Sequence, residues 1–273
     1  MTASGRLDAR LADLRRDRRK ALVSFITAGD PEPSVTVPAL HALVRGGADV
    51  LELGVPFSDP EAEGPAIQRS SERGLAQGMT LRGCLDLVRT FRADDDATPV
   101  VLMGYLNSVL AMGEETFADA AATAGVDGLI MVNLPPEEAG PLKAALDRHG
   151  IRLIFLVAPT TTERRARLIL DAASGFVYYV SLKGITGADH LDTVAVGEKL
   201  KWLRGLTQLP VMVGFGIKDG ASARAVAAHA DGAVVGSALV RTMAACADDP
   251  AAIPERLAGQ AREIRAALDE TGP

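Results

Sequence analysis

Three groups of residues have the types and spacing to do chemistry. The first is Glu52, set inside the apolar run Asp49-Val-Leu-Glu-Leu-Gly-Val55. A buried acid is costly unless it is paired or used. Strand alternation puts Glu52 on the face opposite Leu51 and Leu53. Desolvation there raises a carboxyl pKa and suits a general acid or base; an ion pair with a neighbouring strand is the alternative. The second is the stiff loop Pro56–Pro65, which carries Asp59, Glu61 and Glu63. A pair of carboxylates in unlike surroundings can divide proton chemistry, although a solvated acidic turn has the same composition. The third is a late set of glycines: Gly184-Ile-Thr-Gly187, Gly214-Phe-Gly216 and Gly236-Ser237. Such glycines let backbone N–H groups approach a phosphate, or simply make tight turns. Gly214-x-Gly216-x-x-x-Gly220 misses the dinucleotide spacing by one residue. Phe25, Met103, Phe155, Tyr178 and Phe215 add apolar surface near the same strand ends, as core or as a slot for an aromatic group.

The elements that must hold these groups are legible. Short apolar runs start at Ala21, Asp49, Pro99, Gly128, Arg152, Phe176, Pro210 and Gly232. Most are continuous, as strands covered on both faces are. Helical patterns separate them at Val35–Val44, Thr80–Phe91, Glu115–Ala124, Glu137–His149, Thr162–Ala173, Val194–Leu206 and Ser222–Ala230. Thr162 and Ser222 read as helix caps. Eight βα units in this length predict an α/β fold, a (β/α)8 TIM barrel, over an open doubly wound sheet. An amphipathic leader, Leu7–Arg18, predicts an extra N-terminal helix that plugs or flanks the barrel floor, and Ile253–Leu268 a closing helix or two. With no linker signal, residues 1–273 read as one domain.

Composition narrows the function. The chain has 273 residues, 48% of them hydrophobic and 4% aromatic, with formal net charge −6. The acidic balance and few aromatics argue against nucleic acid as the partner. Cys84 and Cys246 form no redox or metal motif, and the four histidines lack ligand spacing, so no metal is expected. The start of the chain has no apolar signal core, and no apolar run has membrane-spanning length. A cytoplasmic address is the expectation.

Together the motifs resemble one family. Glu52-Leu-Gly-Val-Pro-Phe-Ser-Asp-Pro60 followed by Gly64-Pro-x-Ile-Gln68 is similar to the signature of the tryptophan synthase α subunit family. So are Phe25-Ile-Thr-Ala-Gly-Asp-Pro31, Met103-Gly-Tyr-Leu-Asn107, Leu134-Pro-Pro-Glu-Glu138, Tyr178-Tyr-Val-Ser181 with Gly184-Ile-Thr-Gly187, and Gly214-Phe-Gly-Ile217. The resemblance implies a (β/α)8 barrel that cleaves indole-3-glycerol phosphate to indole and glyceraldehyde 3-phosphate, without metal or organic cofactor. It implies that indole passes to a PLP-dependent β subunit in an αββα complex. By position, Glu52 matches the general acid/base and Glu63 the loop acid that stabilises the indole N–H. Phe25, Met103, Tyr105, Tyr178 and Phe215 match the substrate pocket, and Thr186 the loop threonine that closes over it. Gly187, Gly216, Gly236 and Ser237 match the phosphate site. Pro56, Phe57, Asn107 and Asn133 match the partner face.

The chain departs from the family pattern at three places. Glu63 stands where the family has Asp, adding ~1.3 Å of reach at a site that tolerates roughly 0.5 Å. Glu61 replaces a commonly apolar residue, and Asn133 replaces an Asp near the β-subunit interface. An ordinary α subunit, a stand-alone lyase of another pathway and a catalytically impaired paralogue that binds substrate or activates a β subunit are the three readings.

Overall fold

The computed structural model describes residues 5–180, 193–214 and 216–270. It opens with α1 (Arg6–Arg16), then β1 (Ala21–Thr27), α2 (Pro33–Arg45), β2 (Val50–Gly54), α3 (Pro65–Ala76), α4 (Leu81–Arg92) and β3 (Val100–Gly104). Next come α5 (Leu106–Met112), α6 (Glu114–Ala124), β4 (Gly128–Met131), α7 (Gly140–Arg148), β5 (Arg152–Val157), α8 (Glu163–Ala172) and β6 (Val177–Val180). The chain ends with α9 (Thr193–Arg204), β7 (Val211–Gly214), α10 (Gly220–Ala227), β8 (Gly232–Val235), α11 (Ser237–Ala245) and α12 (Ile253–Asp269). Among the described residues eight parallel strands pair in sequence order, and β8 returns to β1 to close the barrel.

Alternation along each strand divides the core in two. Val23, Val50, Val101, Ile130, Ile154, Tyr178, Met212 and Val234 form the inner cluster. Leu22, Leu51, Leu53, Leu102 and Phe155 pack outward against the helices. Glu52 lies two residues beyond Val50 and therefore faces inward, as alternation predicts. Phe155 faces the helices and takes no part in the barrel mouth. The leader behaves as expected: Leu7, Leu11 and Leu14, spaced for one helix face, join the inner cluster from below. Each buried leucine stabilises that plug by about 1.5–3 kcal/mol.

Helix boundaries depart from the sequence reading where polar capping outweighs apolar periodicity. Thr162 caps α8, accepting the Arg165 N–H, as predicted. Ser222 does not begin α10. Asp219 is the cap, and Ser222 sits three residues inside it as the other half of a capping box. α7 begins at Gly140 rather than Glu137, with Pro141 in its first turn. α3, α5 and α11 were not marked by the apolar pattern; α3 buries only Ser70, Ser71 and Gly74, small residues that carry little hydrophobic signal.

Candidate active site at the C-terminal mouth of the barrel

Strand register builds the site. Phe25 of β1 and Val101 of β3 flank Glu52 of β2 as its Cα partners. One step inward-facing further along β2 is Gly54. A Cβ there would lie 2.6 Å from the Phe25 ring, so the glycine makes the space in which that ring lies. Gly214 does the same for Tyr178: a Cβ at Gly214 would stand 2.2 Å from the phenol oxygen. A glycine late in a strand is the sequence signal for such close approaches.

Glu52 is 1% exposed, and its Oε2 has no hydrogen-bond partner among the described residues. Among the described residues no cation pairs with it, so within them the ion-pair alternative finds no partner. Burial, reinforced by the negative charge of Glu63, raises its pKa from 4.5 to about 8. The resting carboxyl is therefore protonated at neutral pH. Tyr178, buried on β6, has its hydroxyl pushed well above the usual phenol range by burial and then by Glu52 and Glu63. Glu52, Glu63 and Tyr178 are near enough to act on one another electrostatically.

Of the three loop acids, the structure selects Glu63. Asp59 and Glu61 are exposed, whereas Glu63 is half-buried. Tyr105, at the junction of β3 and α5, donates its hydroxyl proton to Glu63 Oε2. The same hydroxyl accepts the Ala62 N–H at 3.0 Å, and its ring stacks on Phe57 with centroids 4.8 Å apart. Gln68 braces the turn by donating to the Glu63 carbonyl at 2.9 Å. Burial raises the Glu63 pKa while the Tyr105 hydrogen bond opposes it. The longer glutamate side chain thus ends on a hydrogen bond supplied by the residue that follows β3. A narrow cleft lies between this loop and the strand ends, lined by Phe25, Val55, Phe57, Glu63, Met103 and Tyr105.

The phosphate side is described in part. Gly216 adopts φ +77°, the left-handed region that suits glycine. Gly236 precedes the first turn of α11, where Ser237 begins the helix and the N-terminal N–H groups are available to an anion. A Cβ at Gly236 would meet the Phe25 ring at 3.3 Å, so this glycine borders the ring pocket. Thr186, Gly187 and Phe215 lie outside the described residues.

The expected partner-face residues separate. Pro56 is buried, packed where a Cβ on Gly74 would reach it at 2.9 Å, and offers no surface. Asn133 and Asn107 form a pair. The Asn133 carbonyl oxygen accepts the Leu106 N–H at 2.8 Å, and its amide donates to Asn107 Oδ1 at 3.2 Å. Sequence reasoning assigned no role to the pair behind this mouth, buried Asp30 and half-buried Arg73. They form a two-pronged ion pair at 2.6 and 2.8 Å that ties the β1 loop to α3.

The geometry agrees with the comparisons. The family model described as tryptophan synthase alpha chain matches residues 11–269. The tryptophan synthase alpha chain of Xanthomonas oryzae pv. oryzae (strain PXO99A) is 54% identical over 266 residues, covering 97% of this chain and 99% of that one. That of Thioalkalivibrio sulfidiphilus (strain HL-EbGR7) is 55% identical over 264 residues, covering 97% and 99%. The crystal structure of tryptophan synthase subunit alpha from Legionella pneumophila str. Paris superposes with a TM-score of 0.91 at 43% identity, covering 98% of this chain and all of that one.

Proposed function

The chain belongs to the tryptophan synthase alpha chain family, and from that premise we propose that Glu52 and Glu63 divide the proton and charge chemistry of its reaction. The enzyme is a carbon–carbon lyase that cleaves indole-3-glycerol phosphate to indole and glyceraldehyde 3-phosphate. The observation that carries the assignment of roles is Glu52: buried, inward, without a hydrogen-bond partner at Oε2 and protonated at rest.

Protonated Glu52 gives its proton to indole C3. The ring nitrogen then carries positive charge, which the Glu63 carboxylate stabilises. The Glu52 carboxylate, now the base, takes the proton of the glyceryl hydroxyl. As that C–O becomes a carbonyl, the bond between C3 and the glyceryl carbon breaks, and its electron pair returns to the ring. Indole is restored and Glu52 regains its proton. Phe25, Met103 and Tyr178 supply the apolar slot for indole, and Gly216, Gly236 and Ser237 the backbone for phosphate. Thr186, Gly187 and Phe215 complete the pocket by their place in the family motif.

The family works with a β subunit. We place that contact on the mouth of the barrel, at Phe57, Asn107 and Asn133, in an αββα assembly. A stand-alone lyase is the second reading. It is favoured by the Asn133–Asn107 hydrogen bond, in which the amide donates where an aspartate has no proton to give.

Steady-state indole release by the purified chain tests both. Glu52→Gln is expected to lose at least a hundredfold in kcat with an unchanged circular dichroism spectrum; residual turnover within tenfold of the parent refutes the Glu52 assignment. Activation by an added β subunit supports the partnered reading. Equal turnover with and without it supports the stand-alone lyase.

A further inference from the structure

The N-terminal face of the barrel holds a cavity of about 500 Å³, at the opposite end of the strands from Glu52. That volume lies within the range of about 300–1,000 Å³ used by small-molecule sites. It lies between the end of α1, the start of β1 at Ala21 and the start of β7 near Pro210. Arg15, Arg18, Arg19, Lys20 and Arg204 line it, against a single carboxylate, Asp231. This basic concentration stands on a chain whose formal net charge is −6.

Not all of these cations are neutralised. Arg19 pairs with Asp49 at 2.6 Å, and Arg204 with Asp231 at 2.9 Å. Lys20 is held by the Ala230 carbonyl at 2.8 Å, and burial lowers its pKa. Among the described residues Arg15 and Arg18 have no acidic partner. Arg15 complements the C-terminal end of the α1 dipole. That does not account for Arg18. Its φ of +52° makes it the one non-glycine residue in the left-handed region among those described. The Arg19 N–H reaches back to the Leu14 carbonyl at 2.9 Å, closing a helix end at which glycine is the unstrained choice. An arginine held there turns its neighbours around the cavity at a conformational cost.

We propose that this cavity is a second ligand site, for a small oligophosphate. Guanidinium forks match phosphoryl oxygens in pairs, and three incompletely compensated cations around one concavity suit a ligand with more than one phosphoryl charge. The lyase chemistry occupies the other end of the barrel and does not use these residues.

Isothermal titration calorimetry with inorganic pyrophosphate and with ATP tests the site, on the parent and on Arg15→Gln/Arg18→Gly. Glycine suits the backbone at position 18, so the variant is expected to keep its melting temperature and its steady-state cleavage rate. Pyrophosphate affinity is expected to fall at least tenfold in the variant and to persist in the parent when glycerol 3-phosphate saturates the active site. Tighter binding of ATP than pyrophosphate would extend the site to a nucleotide; equal binding would confine it to the oligophosphate, and either supports it. Binding unchanged by the variant, or abolished by glycerol 3-phosphate, overturns the proposal. Retention of an oligonucleotide more tightly than either probe also overturns it, in favour of a nucleic-acid surface.

Discussion

The Tyr105 hydroxyl donates to the Glu63 carboxylate and accepts the Ala62 N–H, closing a contact between residues 42 apart in the chain. A phenol that gives one hydrogen bond and takes another fixes both the loop backbone and the acid it carries. The extra methylene of Glu63 therefore ends in a defined place.

Replacing that hydroxyl tests its role. Tyr105→Phe keeps the ring stacked on Phe57 but frees the carboxylate. A hydrogen bond to a charged group contributes about 1.5–3 kcal/mol, so kcat is expected to fall roughly ten- to hundredfold with KM within about threefold. The bond favours ionised Glu63, so its loss raises the Glu63 pKa. The acid limb of the kcat–pH profile should move to higher pH. An unmoved limb would show that Tyr105 acts only through packing.

Removing the charge of Glu63 should be felt at Glu52. Glu63→Gln retains an acceptor for Tyr105 but removes the second cause that raises the Glu52 pKa above 4.5. Glu52 should then titrate below its parental value of about 8, yet still above 4.5, because burial is the larger cause. Carbon-13 NMR of the carboxyl groups reads this directly. Loss of the charge facing the indole N–H is expected to lower kcat about 10²–10³-fold.

Glu52 also links stability to pH. The folded enzyme keeps this proton up to about pH 8, whereas the unfolded chain releases it near 4.5. Between those values the folded state binds more protons, so stability falls as pH rises. Glu52→Gln has no such slope. Urea unfolding should show the variant gaining on the parent from pH 5 to pH 8, by a few kcal/mol at most. A constant difference across that range would mean Glu52 is charged in the folded state.

The space that Gly214 leaves for Tyr178 sets the shape of the indole slot. Gly214→Ala puts a methyl group 2.2 Å from the phenol oxygen and 2.6 Å from the ring carbon that bears it. Overpacking of this kind costs about 1–3 kcal/mol. Lower melting temperature and raised KM are expected together. Adding Tyr178→Phe should recover part of the stability, because the oxygen is the nearest atom. No recovery would indicate a backbone conflict.

Much of this protein is written locally in its sequence. A strand has a side-chain period of two, so Leu51 and Leu53 alone placed Glu52 on the inner face. Buried parallel strands are continuously apolar, and eight such runs separated by helical patterns gave the barrel. The amphipathic leader Leu7–Arg18 marked the extra helix at the barrel floor, and the structure seats its Leu7, Leu11 and Leu14 as the plug. The family motifs added the reaction. Small-residue packing on α3 left no periodic signal, and at α10 the Asp219–Ser222 capping box overrode the apolar pattern.

Tertiary structure decided the rest. Residue type and spacing left Asp59, Glu61 and Glu63 equivalent, and only the family motif singled out Glu63; its anchoring depends on Tyr105 meeting it across the β2–α3 loop. It also left Glu52 between an ion pair and a free acid; the register that sets Phe25 and Val101 beside it supplies no cation. The basic cavity below draws on Arg15, Arg18, Arg19, Lys20 and Arg204, far apart in the chain, joined only when β8 closes between β7 and β1. Periodicity is a property of the local backbone. Which charges share a low-dielectric space depends on barrel closure and register, and those are set by the whole chain at once.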